Sequence, residues 1–235
     1  GRAVAPAFLT SGLAVLVSTG FTRPEAFYAV PTLTPSLSLT VFAAIAGPLF
    51  GAAGWAFKKA VARISAERPR DWRVLAALPI ASFLVGVTSV WVPSVVGNGQ
   101  ASAQTQFDAT WATGMGLTFA LLVLLAKTAT TLLTIRAGGW GGVLTPAVAL
   151  GAGLGAVIGL PWATAWPGSE VAAFAFLGAA AFLGASMKAP FTGLILVIEF
   201  TGQGQTILVP AALAVGGATA AATWLSRRAS LGRQP

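Results

Sequence analysis

The residues with the most chemical content form one short run, Gly138-Gly139-Trp140-Gly141-Gly142 leading into Val143-Leu144-Thr145-Pro146. Four glycines in five positions open backbone angles closed to other residues and remove side chains that would hold a ligand off. Pro146 falls in the first turn of the helix that follows, where its missing N–H is no loss. The first amides of that helix, at Gly142, Val143 and Leu144, then point forward without partners. Such an end carries about half a positive charge and suits an anion. The same residues also suit a plain glycine-rich turn before a packed helix, and the local sequence leaves both open.

Other chemical groups are sparse. Lys188 stands at the entrance of a segment begun by Pro190, and Glu199 lies near its far end. Ionisable residues in apolar surroundings are functional candidates, although Glu199 reads as a hydrogen-bond partner for a neighbouring helix start. Lys127 is an isolated cation in apolar sequence, either paired in the interior or snorkelling to the surface. Gly151, Gly155 and Gly159 repeat at four-residue spacing, a small-residue stripe that lets helices approach closely.

Composition narrows the functions available. The 235 residues contain no histidine and no cysteine and six acidic residues, and 56% are apolar against 9% charged, where a soluble domain carries about 25% charged residues. Thiol and Ser-His-Asp nucleophiles, Cys/His zinc sites and disulfides are therefore excluded. A carboxylate metal cage, any other metal or organic cofactor, and an enzyme function are not expected. The net charge of +8 is no sign of nucleic-acid binding, because the polar surface such binders carry is absent. The sequence predicts an all-α, multi-pass integral membrane protein.

Uncharged stretches at 26–57, 74–107, 137–169, 171–187 and 200–226 compare with the roughly 20 apolar residues needed to cross a bilayer as helix. Eight helical segments are expected: 4–19, 37–64, 72–92, 114–135, just after Gly142 to about Leu160, 170–186, 190–201 and 207–225. Val96-Gly97-Asn98-Gly99-Gln100 is too polar to face lipid. Short and interrupted helices are tolerated at membrane depth only within protein or around a polar cavity, as at transporter binding sites. Basic residues crowd 58–73 and the tail at Arg227, Arg228 and Arg233. The bias of lysine and arginine towards the cytoplasm would put both inside.

Two clusters carry a resemblance. Gly141-Gly142-Val143-Leu144-Thr145-Pro146 resembles the G-x-F-x-P motif of the CLC family of chloride channels and proton-coupled chloride antiporters, with Leu144 at the usual Phe, and Lys127 to Thr134 resembles its lead-in. Ala185-Ser186-Met187-Lys188-Ala189-Pro190-Phe191-Thr192-Gly193 with Val197-Ile198-Glu199 resembles the family's A-S-x-x-A-P-x-T-G…x-x-E signature. Pro93 to Gly99 looks like the bacterial P-x-x-x-G-N-G form. Neither G-S-G-x-P nor the G-[KR]-E-G-P motif that carries the gating glutamate occurs here, and Tyr28 is the only tyrosine. The chain opens at Gly1-Arg2 without a signal peptide and reads as the downstream half of something longer.

The resemblance implies a CLC-type inverted-repeat bundle: 1–64 the last helices of the N-terminal repeat, 65–73 a basic linker, 74–226 the C-terminal repeat and 227–235 a basic tail. It implies a homodimer with contacts at 37–63 and in the two helices after Pro190, in the plasma (inner) membrane of a prokaryote. The 58–73 loop would lie outside and the tail inside. Carried over by position, Gly142, Val143, Leu144, Thr145 and Pro146 form the anion site, with the amides of Val143 and Leu144 facing a chloride or similar anion. Glu25 lies near where antiporting members keep a proton-relaying glutamate, and also suits a solvated loop. An unrelated transporter for a small organic substrate would need convergent polar side chains at its helix breaks, and a non-conducting membrane fragment is a third reading.

Overall fold

The computed structural model describes residues 4–21, 26–108 and 116–231, and its regular elements are helical. They are α1 (Val4–Thr19), α2 (Leu37–Ala66), α3 (Val74–Trp91), α4 (Gln100–Asp108), α5 (Gly116–Arg136), α6 (Leu144–Ala165), α7 (Val171–Met187), α8 (Pro190–Thr201) and α9 (Leu208–Leu231). Five of these, α2, α3, α5, α6 and α9, are long and apolar enough to cross a membrane. Eight match the expected segments to within a few residues at most ends, and α9 runs six residues further. The ninth, α4, was not expected. Its sequence, QASAQTQFD, has no apolar stripe, because its polar side chains bond inward. Gln104 exchanges hydrogen bonds with the backbone of Ala29, and the Ser102 hydroxyl donates to the Ser94 carbonyl.

The centre of the molecule is α7. It is buried from Ala172 to Ser186, and its alanines and glycines let neighbours lie against its backbone. On one side α6 runs antiparallel to it. A methyl group added at Gly155 would run into the Phe174 carbonyl, one at Gly151 would sit 2.5 Å from the Gly178 carbonyl oxygen, and one at Gly159 would meet the Phe174 ring. The four-residue glycine repeat is thus a packing surface, and it fixes the axis along which the start of α6 is aimed. Larger side chains from α2 close the core, with Phe42 in edge contact with Phe174 at 4.5 Å between ring centres.

Helix starts and stops follow local chemistry. The Ser36 hydroxyl accepts the Leu39 amide and caps α2. Two helices end in the same left-handed turn. In α8 it is Gly202 (φ 61°), with the Gln203 amide returning to the Ile198 carbonyl; in α7 it is Lys188 (φ 57°), with the Ala189 amide returning to the Gly184 carbonyl. Glycine takes that conformation freely, whereas lysine bears a Cβ penalty there. Pro190 then opens α8, which folds straight back onto α7.

The direction of α9 corrects one expectation. Gly47 of α2 lies against Ala214, and Gly51 against Ala218, so α2 and α9 run parallel. Their C-terminal ends share one end of the molecule, where Lys58 and Arg227 line the same cavity. The 58–73 loop and the start of the tail therefore lie on one face, not on opposite faces. A shared face for both ends is what the lysine and arginine bias predicts. Among the described residues every lysine and arginine except Lys127 sits at this end, and the Arg136 guanidinium ties α5 to it through the Glu67 carbonyl at 2.7 Å.

Candidate functional site: the amino end of α6

Val143 precedes α6 with φ −97° and ψ 9° and carries no side-chain cap. Its carbonyl accepts the Ala147 amide, which sets the helix start. The first amides of any helix lack intrahelical acceptors. Among the described residues, no acceptor stands opposite the amides of Gly142, Val143 or Leu144. A cavity of about 440 Å³ borders this start, walled by Gly141, Gly142, Val143 and Pro146 on one side and by α5 and α3 on the others. The Leu144 side chain instead joins the core, and Thr145 is half-buried away from the cavity wall.

Lys127 supplies the opposite wall. It is 3% exposed, and its ammonium donates to the carbonyls of Val95 and Gly97, each at 2.8 Å. No carboxylate among the described residues reaches it. A lysine has three N–H donors, so one remains after these two bonds, beside the cavity that Lys127 lines. Gly99 is wedged between the two halves of this site. Its Cα face sits against the Lys127 Cε, the Pro146 Cα and the Thr145 carbonyl, each 3.3 Å from where a Cβ would be, and its φ is +112°. Only glycine brings the polar turn that close while turning left-handed.

The electrostatics of the cavity follow from these positions. The helix start contributes about half a positive charge and the lysine a full one, and no acidic side chain lines the space. The hydroxyls of Thr130 and Thr134 on the wall donate to carbonyls of their own helix, so they present lone pairs rather than hydrogens. Ser82 and Thr131 also line the space, so hydroxyls stand beside the ammonium and the helix start, a lining with positive charge and no carboxylate that favours an anion over a cation. At the cavity's mouth Trp140 is 85% exposed and lies under the Arg68 guanidinium at 4.0 Å.

Lys127 was singled out in the sequence only as an isolated cation. What would have marked it is its place in a chain segment otherwise free of charge and one turn of helix before three threonines. Glu199 departs from its expected role. It is exposed and bonds no helix start among the described residues, and a tie in that region comes from Gln203, whose amide group bridges the Leu33 N–H and the Pro31 carbonyl. Glu25 lies outside the described residues.

Comparison with known proteins decides the family. A family model described as voltage gated chloride channel matches residues 1–223. The chain belongs to the CLC family. It is 31% identical over 198 residues to the H(+)/Cl(-) exchange transporter ClcA of Cronobacter sakazakii, covering 83% of this chain and 41% of that protein. It is 33% identical over 186 residues to ClcA of Yersinia pestis, covering 76% and 38%. The chain thus spans about two fifths of the length of these curated relatives. Among solved structures it resembles a slow cyanobacterial Cl-/H+ antiporter (TM-score 0.74, 19% identity, 90% of this chain and 49% of that one) and a CLC-type fluoride/proton antiporter (TM-score 0.61, 20% identity, 83% and 47%). These likenesses establish a CLC fold, and with it a polytopic membrane protein of a channel and transporter family.

Proposed function

We propose that this CLC chain is the anion-holding part of a proton-coupled chloride transporter of a prokaryotic inner membrane. The backbone amides of Gly142, Val143 and Leu144 hold a partly dehydrated chloride at the start of α6. The observation that carries this reading is the uncapped helix start facing a cavity that the buried Lys127 ammonium also borders. Backbone dipoles grip a halide more weakly than a direct ion pair does, which suits an ion that must leave again. Lys127 adds long-range attraction while two carbonyls hold it back from the amides.

Proton coupling is inferred from the exchangers to which the chain is similar. Glu25 is the carboxylate of this chain that a relay would use. The remaining walls of the site, and a partner subunit, belong to the whole protein. The exposed apolar side chains of α8 and α9, among them Ile195 and Val209, suit a homodimer contact. Family membership removes the unrelated organic-substrate transporter. The non-conducting reading is answered by experiment: the full-length protein in liposomes releases chloride down its gradient while protons move in the opposite sense. A full-length protein that moves no chloride refutes the proposal. Coupling that survives Glu25→Gln unchanged removes Glu25 from the relay.

A further inference from the structure

The loop that leads into α6 has little of its own to hold it. Gly139 is the last residue tied to α5, its amide donating to the Thr134 carbonyl at 2.9 Å. Among the described residues, Trp140, Gly141 and Gly142 make no backbone hydrogen bond. A Cβ added at Gly141 or Gly142 would meet nothing within 4 Å, and glycines in open space leave the backbone angles free. All three residues line the cavity before α6. The contact that holds this stretch belongs to the Trp140 indole, which lies under the Arg68 guanidinium at 4.0 Å from the ring centre.

Arg68 comes from an element that is itself fixed. The linker between α2 and α3 is bound to the end of α5, where Arg136 donates to the Glu67 carbonyl and Gly138, at φ +101°, brings its backbone against Val74 and the Pro69 carbonyl. Glu67 pairs with Arg63 and Arg136, and Asp71 with Arg73, so neither carboxylate of the linker draws Arg68 off the ring. The indole has a second seat within reach. At 85% exposed it gains by covering apolar surface, and Val85 and Gly86 of α3 and Ile135 of α5 line the same cavity. Gly86 offers open space there. Two seats compete for the ring, under Arg68 or across the mouth against α3, and the glycines behind it resist neither.

We propose that Arg68 is a positioning residue for anion passage: by holding the Trp140 indole, it keeps the mouth of the α6 cavity open. When the contact breaks, Gly141 and Gly142 let the ring swing against α3, and an apolar ring across the mouth shuts out a hydrated anion. Arg68 acts through Trp140 and not on the anion. The inference rests on the reading of this cavity as the chloride site.

Chloride efflux from liposomes holding the full-length protein tests this in a double-mutant cycle. An exposed cation–π contact biases two positions by a few-fold, so R68Q is expected to slow efflux about threefold. R68K, which keeps the cation, is expected to retain most of the rate. W140A removes the ring that closes the mouth and is expected to run at the wild-type rate or faster, and R68Q/W140A is expected to match W140A. A wild type that moves chloride while R68Q runs at the same rate overturns this inference and leaves the chloride site standing, whereas a wild type that moves none removes both. R68Q slowing efflux by the same factor in the W140A background would show its charge acting on the anion directly. W140A slowing efflux as much as R68Q would make the pair a structural tie. Either result also overturns the proposal.

Discussion

The Lys127 ammonium donates to the Gly97 carbonyl at 2.8 Å, and through that bond the cation of α5 is fixed beside the first turn of α6. A buried charge without a carboxylate is costly by several kcal/mol, and here the carbonyls of Val95 and Gly97 offset part of that cost. The remainder is relieved whenever an anion enters the cavity. Lys127→Met in the full-length protein is therefore expected to weaken chloride binding about tenfold or more, measured by titration calorimetry. Lys127→Arg is expected to retain most of it. Equal affinity in Lys127→Met and wild type would make Lys127 a purely structural tie.

The glycines of α6 differ from others in what surrounds them. Gly155→Ala drives a methyl group into the Phe174 carbonyl of α7, and overpacking of this kind costs about 1–3 kcal/mol. Gly86 in α3 faces open space, and Gly86→Ala is expected to stabilise by about 0.5–1 kcal/mol through helix propensity. Unfolding in detergent separates the two. Equal effects would mean that α6 and α7 are not in backbone contact.

Tyr28, in the link before α2, is 1% exposed, and its hydroxyl has no hydrogen-bond partner among the described residues. Burial pushes the phenol up from 10.0 to about 12. Between those values the unfolded chain has released its proton and the folded protein has not. Stability linked to the neutral phenol is thus complete below pH 10 and lost as pH rises towards 12, by up to about 3 kcal/mol. Tyr28→Phe is expected to flatten this alkaline limb and to leave neutral-pH stability unchanged or slightly higher. A limb equally steep in Tyr28→Phe would place the titrating group elsewhere.

Lys188→Gly probes the cost of the left-handed turn between α7 and α8. Releasing the left-handed penalty is worth about 1–2 kcal/mol, and losing a cation at the C-terminus of α7 costs about 0.3–1 kcal/mol. A small net gain in unfolding midpoint is expected, read by thermal unfolding in detergent. A large loss of stability would show that the lysine side chain is a necessary part of the α7–α8 corner.

Much of this architecture was legible before any coordinates, for reasons that also explain the failures. Glycine and proline punctuate the starts of α6 and α8 so strongly that both positions could be read from local chemistry. Whether the amides of Gly142 to Leu144 faced a space or a neighbour could not, because that depends on α5 and on the turn at Gly97 and Gly99, distant in sequence. The helix α4 escaped notice because polar side chains such as Gln104 and Ser102 point at backbone groups far along the chain, leaving no apolar period to detect. Glu199 looked like a helix cap by position, yet capping needs a helix start within reach, and among the described residues Gln203 bonds the backbone of the Pro31–Leu33 link while Glu199 bonds none. The relative direction of α2 and α9 rests on Gly47 and Gly51 meeting Ala214 and Ala218, pairings that no single stretch encodes.

That parallel course of α2 and α9 settles a question of parity. Between their like-facing ends the polypeptide must make an even number of traverses, and α7 with α8 folds as one out-and-back pair about Lys188. Counting helices by length alone omits both members of the pair, so the sidedness of everything before α7 and after α8 comes out the same either way. The two counts disagree only at the corner itself, where a topology reporter inserted beside Ala189 would answer from the compartment that also holds the ends of α2 and α9.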